Sequence, residues 1–86
     1  MNFQTSQNVV FTETDGEAVV LDIESGIYFG LDEVGVDIWK LIEQHGSSDK
    51  VKKNMLKMYD VQEEVLEVQL HTFLESLLEK GLITSL

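Results

Sequence analysis

The feature that most constrains the fold of this 86-residue chain is a change in apolar spacing at residues 26–39. Before this segment, apolar residues form short runs and alternating stretches, which are typical of strands. After it they recur at three- and four-residue intervals, which are typical of amphipathic helices. Strands followed by helices predict an α+β domain in which helices cover an antiparallel sheet.

Three strands are predicted, at residues 9–14, 17–23 and 27–31. Asp15-Gly16 between the first two strands indicates a tight hairpin turn, because both residue types tolerate positive φ. A turn ending at Gly26 leads into the third strand. The second strand is apolar at nearly every position, which predicts a central strand covered on at least part of both faces. Residues 1–8 are mostly polar and are expected to fray.

Three helices are predicted in the second half, each with an apolar stripe. Val34 and Ile38 begin the first stripe, with Trp39 beside it, and Val65 and Leu66 begin the last. The start and stop signals of the helices follow known capping preferences. The first helix is predicted to start at Asp32 and to stop at Gly46, and the second to start at Ser47 or Ser48. The third is predicted to start at Asp60, with Glu63 completing a variant capping box, and to stop at Gly81.

Length and composition predict one domain over residues 1–86. The apolar fraction is 43%, there is no cysteine, and no apolar run is long enough to span a membrane. The N-terminus lacks the regions of a signal peptide. We therefore expect a cytoplasmic protein without a membrane partner.

The formal net charge is −10, and all six basic residues are lysines. An acidic surface without arginine disfavours binding to phosphate backbones or anionic lipid, and it attracts basic partners instead. Four lysines crowd one segment, which is either a solvated helix face or a docking patch for an enzyme. They are Lys50, Lys52, Lys53 and Lys57.

The sequence carries no motif for catalysis, and we expect neither an enzyme nor a bound cofactor or metal. The two histidines, His45 and His71, fall on different predicted helices, and no cysteine is available as a nucleophile. Carboxylates at the start of the third helix have a structural explanation, because negative charge stabilises a helix N-terminus. His71 is interpreted as an ordinary helix residue rather than a proton-transfer group.

Three short motifs in a fixed order resemble the PqqD-like family. They are Gly-Ile-Tyr-Phe-Gly-Leu-Asp-Glu-Val-Gly at residues 26–35, Ile38-Trp39, and Phe-Leu-Glu-Ser-Leu-Leu-Glu-Lys-Gly-Leu at residues 73–82. In that family a strand reading roughly Gly-x-Tyr-Tyr-x-Leu-Asn leads into a helix with Ile-Trp, and the last helix ends Leu-x-x-Gly-Leu. The resemblance covers about residues 9–83. Asp32 stands where the family usually has Asn, a change that keeps the helix cap.

This resemblance implies a winged helix-turn-helix fold with a three-stranded antiparallel sheet followed by three helices. It also implies a precursor-peptide recognition element for ribosomally made, modified peptides, which binds the leader as an added strand between the third strand and the third helix. The length is most similar to that of the stand-alone recognition protein of lasso-peptide biosynthesis, whose partner is a separate leader peptidase.

The predicted peptide site combines the third strand with one face of the third helix. Glu67, His71 and Glu75 are spaced to border the cleft, and Leu74 and Leu78 to form its floor. The full predicted set is Ile27, Tyr28, Phe29, Gly30, Leu31, Glu67, His71, Leu74, Glu75 and Leu78.

Other interpretations remain open at this point. Tyr28, Phe29 and Leu74 are equally compatible with an ordinary core. The same topology serves winged-helix nucleic-acid-binding proteins, although the missing arginines and the acidic third helix argue against this function. A regulatory dimerisation protein without a peptide ligand is a third alternative.

Overall fold

The computed structural model describes residues 2–86. It confirms the predicted α+β, winged helix-turn-helix architecture: β2, β3 and β4 form an antiparallel meander, and three helices follow. A separate two-stranded sheet pairs β1 with β5. The elements are β1 (Phe3–Thr5), β2 (Val9–Thr14), β3 (Glu17–Asp22), β4 (Tyr28–Leu31), α1 (Glu33–His45), α2 (Ser48–Met58), α3 (Glu63–Glu79) and β5 (Ile83–Ser85).

The predicted hairpin between β2 and β3 is confirmed. Asp15 and Gly16 both have positive φ, 53° and 81°, which matches the right-handed twist of the flanking strands. β3 is the central strand, as predicted. The prediction that β3 is covered on at least part of both faces is wrong for the outer face, because its buried residues, Ala18 and Val20, lie on one face only. Val19, on the opposite face, is 44% exposed.

The predicted caps at both ends of α1 and at the start of α2 are confirmed. The Asp32 carboxylate accepts a hydrogen bond from the Gly35 N–H at 2.8 Å and so satisfies a free donor at the start of α1. α1 ends at Gly46, whose φ of 65° requires a residue that tolerates the left-handed region. The Ser47 hydroxyl accepts from the Lys50 N–H at 3.5 Å and caps α2.

The predicted capping box of the third helix is wrong. α3 begins at Glu63 with Gln62 at its N-cap, and within residues 2–86 no side chain caps this end. Val61 packs against the core, which keeps the chain extended beyond Asp60 before the helix begins. Asp60 therefore lies too early in the chain to cap α3.

The C-terminal end of α3 follows the prediction. Gly81 has a φ of 71°, and its N–H donates to the Leu78 carbonyl at 3.1 Å. The Leu82 N–H donates to the Leu77 carbonyl at 3.0 Å, which completes a Schellman motif. Leu82 is fully buried and directs the chain into β5.

The prediction that the N-terminal segment frays is wrong. Phe3 is only 4% exposed, and its N–H donates to the Gly46 carbonyl at 2.7 Å. β1 pairs with β5 through the register Phe3–Ser85, so the C-terminal residues supply a partner strand that the sequence analysis did not predict. Residue 1 lies outside the described residues.

The core lies between the meander and the helices. Trp39 is fully buried, and its indole stacks on the ring of Phe11 with a centroid distance of 6.3 Å. This contact joins α1 to β2. Within residues 2–86, no helix has the length and apolar character that a membrane span requires.

Candidate functional site

The outer edge of β4 is open along the part of the chain that the structure describes. The Asp22 N–H donates to the Ile27 carbonyl at 2.8 Å, and this pair fixes the alternation of hydrogen bonds between β3 and β4. The register along β4 therefore places the main-chain N–H and C=O groups of its second and fourth residues, Phe29 and Leu31, toward β3. Tyr28 and Gly30 therefore direct their N–H and C=O groups to the open edge.

The side chains of β4 alternate between the two faces of the sheet. Tyr28 lies on the outer face, where it is 69% exposed, and Gly30 follows on the same face. Phe29 is half-buried on the inner face, and Leu31 is buried. The prediction that Tyr28 and Phe29 face opposite sides is confirmed. Ile27 precedes the strand and is exposed.

A cleft of about 480 Å³ lies beside this open edge. We call it the β4–α3 cleft. The rings of Phe29 and Phe73 meet edge to face with centroids 5.9 Å apart, and the Lys80 ammonium lies 5.7 Å from the Phe29 ring centroid. The cleft is lined by Gly30, Leu31, Asp32, Val34, Gly35, Ile38, Leu66, Gln69, Leu70 and Phe73.

Gly35 keeps this cleft open where α1 begins. A Cβ atom at Gly35 would lie 3.3 Å from both the Leu31 and Phe73 side chains, which is tighter than an ordinary contact. Val34 and Val65 were predicted to belong to apolar stripes, but they are 40% and 43% exposed. Val34 lies in the lining of the cleft, where it offers apolar surface to a ligand.

The helix half of the predicted site lies elsewhere. Glu67, His71, Leu74, Glu75 and Leu78 line a second groove of about 230 Å³, which also involves β1 and the start of α2. We call this the α2–α3 groove. The prediction that these five residues border the cleft beside β4 does not match the structure, because they belong to the opposite flank of α3.

The helical residues that do line the β4–α3 cleft were missed as site residues. They are Leu66, Gln69, Leu70 and Phe73, spaced at i, i+3, i+4 and i+7 on one face of α3. All of these except Gln69 are apolar, and their helical spacing alone indicates a core stripe rather than a binding surface. From the strand half of the predicted site, Gly30 and Leu31 line the cleft with them and Phe29 contacts Phe73. Ile27 and Tyr28 are not part of the lining.

The two concave regions differ in charge. In the α2–α3 groove, the Lys52 ammonium lies 3.2 Å from Glu67 and 3.9 Å from Glu63. The hydrogen bond to Glu67 raises the pKa of Lys52. The His71 Nε2 atom lies 3.0 Å from a Glu75 oxygen. The lining of the β4–α3 cleft is mainly apolar, with Asp32 as its one ionisable residue.

A further polar contact joins α1 to the end of α2. The Tyr59 hydroxyl donates a short hydrogen bond to the Asp37 carboxylate. This bond, with a smaller contribution from burial, raises the pKa of Tyr59 to about 12. Neither residue lines the cleft or the groove. Within residues 2–86, no cluster of three or more His, Cys, Asp or Glu residues is arranged to hold a metal ion.

Comparisons with known proteins agree with this architecture. A structure of TbiB1 in complex with the TbiA(beta) leader peptide is 34% identical, covers 96% of each chain and has a TM-score of 0.89. A structure of lasso peptide synthetase B1 complexed with the leader peptide is 24% identical. It covers 99% of this chain and 100% of that chain with a TM-score of 0.86, a likeness that concerns the fold alone. Curated protein sequences gave no match.

The family comparison covers most of the chain. The family model described as coenzyme PQQ synthesis protein D (PqqD) matches residues 17–83, from the start of β3 to the start of β5. This range contains both walls of the β4–α3 cleft. The chain belongs to the PqqD family.

Proposed function

We propose that this protein is a non-catalytic adaptor that binds the leader region of a ribosomally made precursor peptide. The leader adds as a strand to β4 in the β4–α3 cleft, and the adaptor delivers it to a separate maturation enzyme, a leader peptidase. The observation that carries the proposal is the open edge of β4 beside an apolar cleft. The similarity to TbiB1, whose structure contains a leader peptide, supports it.

Main-chain pairing supplies affinity that depends little on the leader sequence. Tyr28 and Gly30 offer two N–H donors and two carbonyl acceptors to an incoming strand. Each hydrogen bond in such an interface contributes about 0.5–1.5 kcal/mol, because it replaces hydrogen bonds to water. Gly30 adds no side chain that would hinder the approaching backbone.

Side-chain packing supplies selectivity. Because residues of a strand alternate between faces, every second leader residue faces α3 while the others face solvent. The residues facing α3 meet Leu66 and Phe73 and lie over Gly35, so the cleft favours apolar leader side chains at alternate positions. A volume of about 480 Å³ has room for more than one such side chain.

Charge assists the encounter. The net charge of −10 attracts a leader that carries lysine or arginine beside its apolar anchors. Such long-range attraction acts mainly on the association rate and weakens as salt is added. The same charge opposes nucleic-acid binding, and Glu67 and Glu75 on exposed faces of α3 would repel a phosphate backbone.

Hydrogen exchange tests strand addition at the level of single amides. We would titrate the protein with the leader region of a precursor peptide encoded beside its gene. The amides of Tyr28 and Gly30 should become protected, whereas those of Phe29 and Leu31 should change less because they already bond to β3. Uniform protection along β4, or none, would contradict strand addition in this register.

A further inference from the structure

The α2–α3 groove lies on the flank of α3 that the proposed leader site does not use. Its floor is formed by Phe3, Leu74 and Leu78. The volume of about 230 Å³ is smaller than the pockets that hold drug-sized ligands or cofactors, which begin near 300 Å³. The groove therefore fits one large side chain of a protein partner better than a small molecule.

The rim of the groove is negatively charged. Asp49, Glu67 and Glu75 line it together with one lysine, Lys52. The Lys52 ammonium is already held by Glu67 at 3.2 Å. Within residues 2–86, no lysine lies within ion-pair distance of Asp49 or Glu75. Glu75 contacts His71 at 3.0 Å in a pair that is exposed to solvent, and its carboxylate has room to accept further donors from a partner.

An apolar floor with an acidic rim matches one kind of side chain. Arginine buries its aliphatic stem against apolar surface and keeps its charged end at the rim. Its planar guanidinium binds carboxylates in a bidentate manner and is less strongly hydrated than a lysine ammonium. The chain itself contains no arginine, so this residue can only come from another molecule.

We propose that the α2–α3 groove docks an arginine on a basic segment of the maturation enzyme. This inference rests on the proposed adaptor function, because an adaptor needs two surfaces that are occupied at the same time. The leader uses the flank of α3 that carries Phe73, and the groove uses the flank that carries Glu75. Both partners therefore bind one helix from opposite sides.

The probe for this site is a short peptide, acetyl-Ala-Leu-Arg-Leu-Ala-amide. Its matched control replaces arginine with citrulline, which has the same shape without the charge. In ¹⁵N–¹H spectra the arginine peptide should cause saturable shifts at His71, Leu74 and Leu78. The citrulline peptide should bind about tenfold more weakly, since its neutral end forms no charge-assisted bonds. Equal affinity of both peptides would overturn the assignment of the ligand.

A charge reversal on the same helix localises the effect. Glu75→Lys removes a rim carboxylate and adds a competing cation. It should therefore lower the affinity for the arginine peptide at least about tenfold. Glu79→Lys makes the same charge change on α3 outside the groove lining, and it should change affinity less than about twofold. Equal effects of both variants would show that the affinity depends only on the net charge of the protein, and this would overturn the assignment of the binding site to the groove.

Two further readouts separate this inference from the proposed function. Shifts at Gly30 and Gly35 in place of the groove residues would mean that the probe binds the β4–α3 cleft, which overturns the inference. Displacement of the probe by saturating leader would assign the groove to the leader and overturn the choice of partner. Leader-induced protection at Tyr28 in the Glu75→Lys variant tests the leader site separately.

Discussion

Replacing Gly30 with proline tests the main-chain contribution that the open edge is proposed to make to leader binding. The Gly30 N–H points away from β3, so proline removes no hydrogen bond of the meander. Gly30 does not have positive φ, and a proline whose missing N–H faces solvent is tolerated on an edge strand. The substitution should therefore leave the fold intact while it removes one donor to the leader.

The expected loss follows from that single donor. One hydrogen bond contributes about 1 kcal/mol, which corresponds to about a fivefold increase in the dissociation constant. The proline ring also occupies the space of the missing hydrogen, so the increase should be at least fivefold by the same estimate. Gly30→Ala is the control, because it keeps the N–H and within the described residues its Cβ meets no atom within 4 Å.

Titration calorimetry with the leader peptide, combined with thermal unfolding of each variant, measures this effect. Gly30→Ala should bind within about twofold of the unchanged protein, because no main-chain group is lost. If Gly30→Pro unfolds at the normal temperature and binds the leader as tightly as before, the leader does not pair with β4 at this position. A comparable loss in Gly30→Ala would mean that side-chain bulk, not hydrogen bonding, limits binding.

Three further predictions concern α3, the α1 cap and the contact between α1 and α2. In calorimetry, Gln69→Lys should lower the affinity for a basic leader about tenfold, because it adds positive charge to the cleft. His71→Lys, on the other flank of α3, should change this affinity less than about twofold, because it adds no charge to the cleft. Gly46→Ala should lower the melting temperature by about 10 °C, since φ is 65° and the new Cβ would lie 2.9 Å from a β1 carbonyl oxygen. Tyr59→Phe should cost about 1 kcal/mol in denaturant unfolding at neutral pH by loss of its bond to Asp37. Because folding raises the pKa of Tyr59 from 10.0 to about 12, this difference should be full below pH 10 and disappear as the pH rises toward 12.

The parts of the fold that the sequence predicts correctly are those with local causes. Asp15-Gly16 specifies its turn through backbone conformation alone, and Asp32 caps α1 through a bond to a residue three positions away. β1 and β5 have no such local signal. They are three residues each, and their pairing accompanies the burial of Phe3 and Leu82, from opposite ends of the chain, in the same core. A pairing between the two ends of a chain depends on packing that short-range patterns do not encode.

The difference between the predicted and the observed surroundings of Glu67, His71 and Glu75 has a similar origin. The apolar stripe of α3 is bordered by two flanks, and helical spacing alone does not say which of them faces β4, since that depends on how the helix crosses the sheet. A physical criterion distinguishes them: a strand that adds to a sheet edge needs an apolar wall for its inward side chains. The flank with Phe73 meets this need, whereas the flank with Glu67, His71 and Glu75 would leave charges to be desolvated beneath the peptide. The charged flank is thus better suited to a partner that brings its own opposite charge, which is the role proposed for the α2–α3 groove.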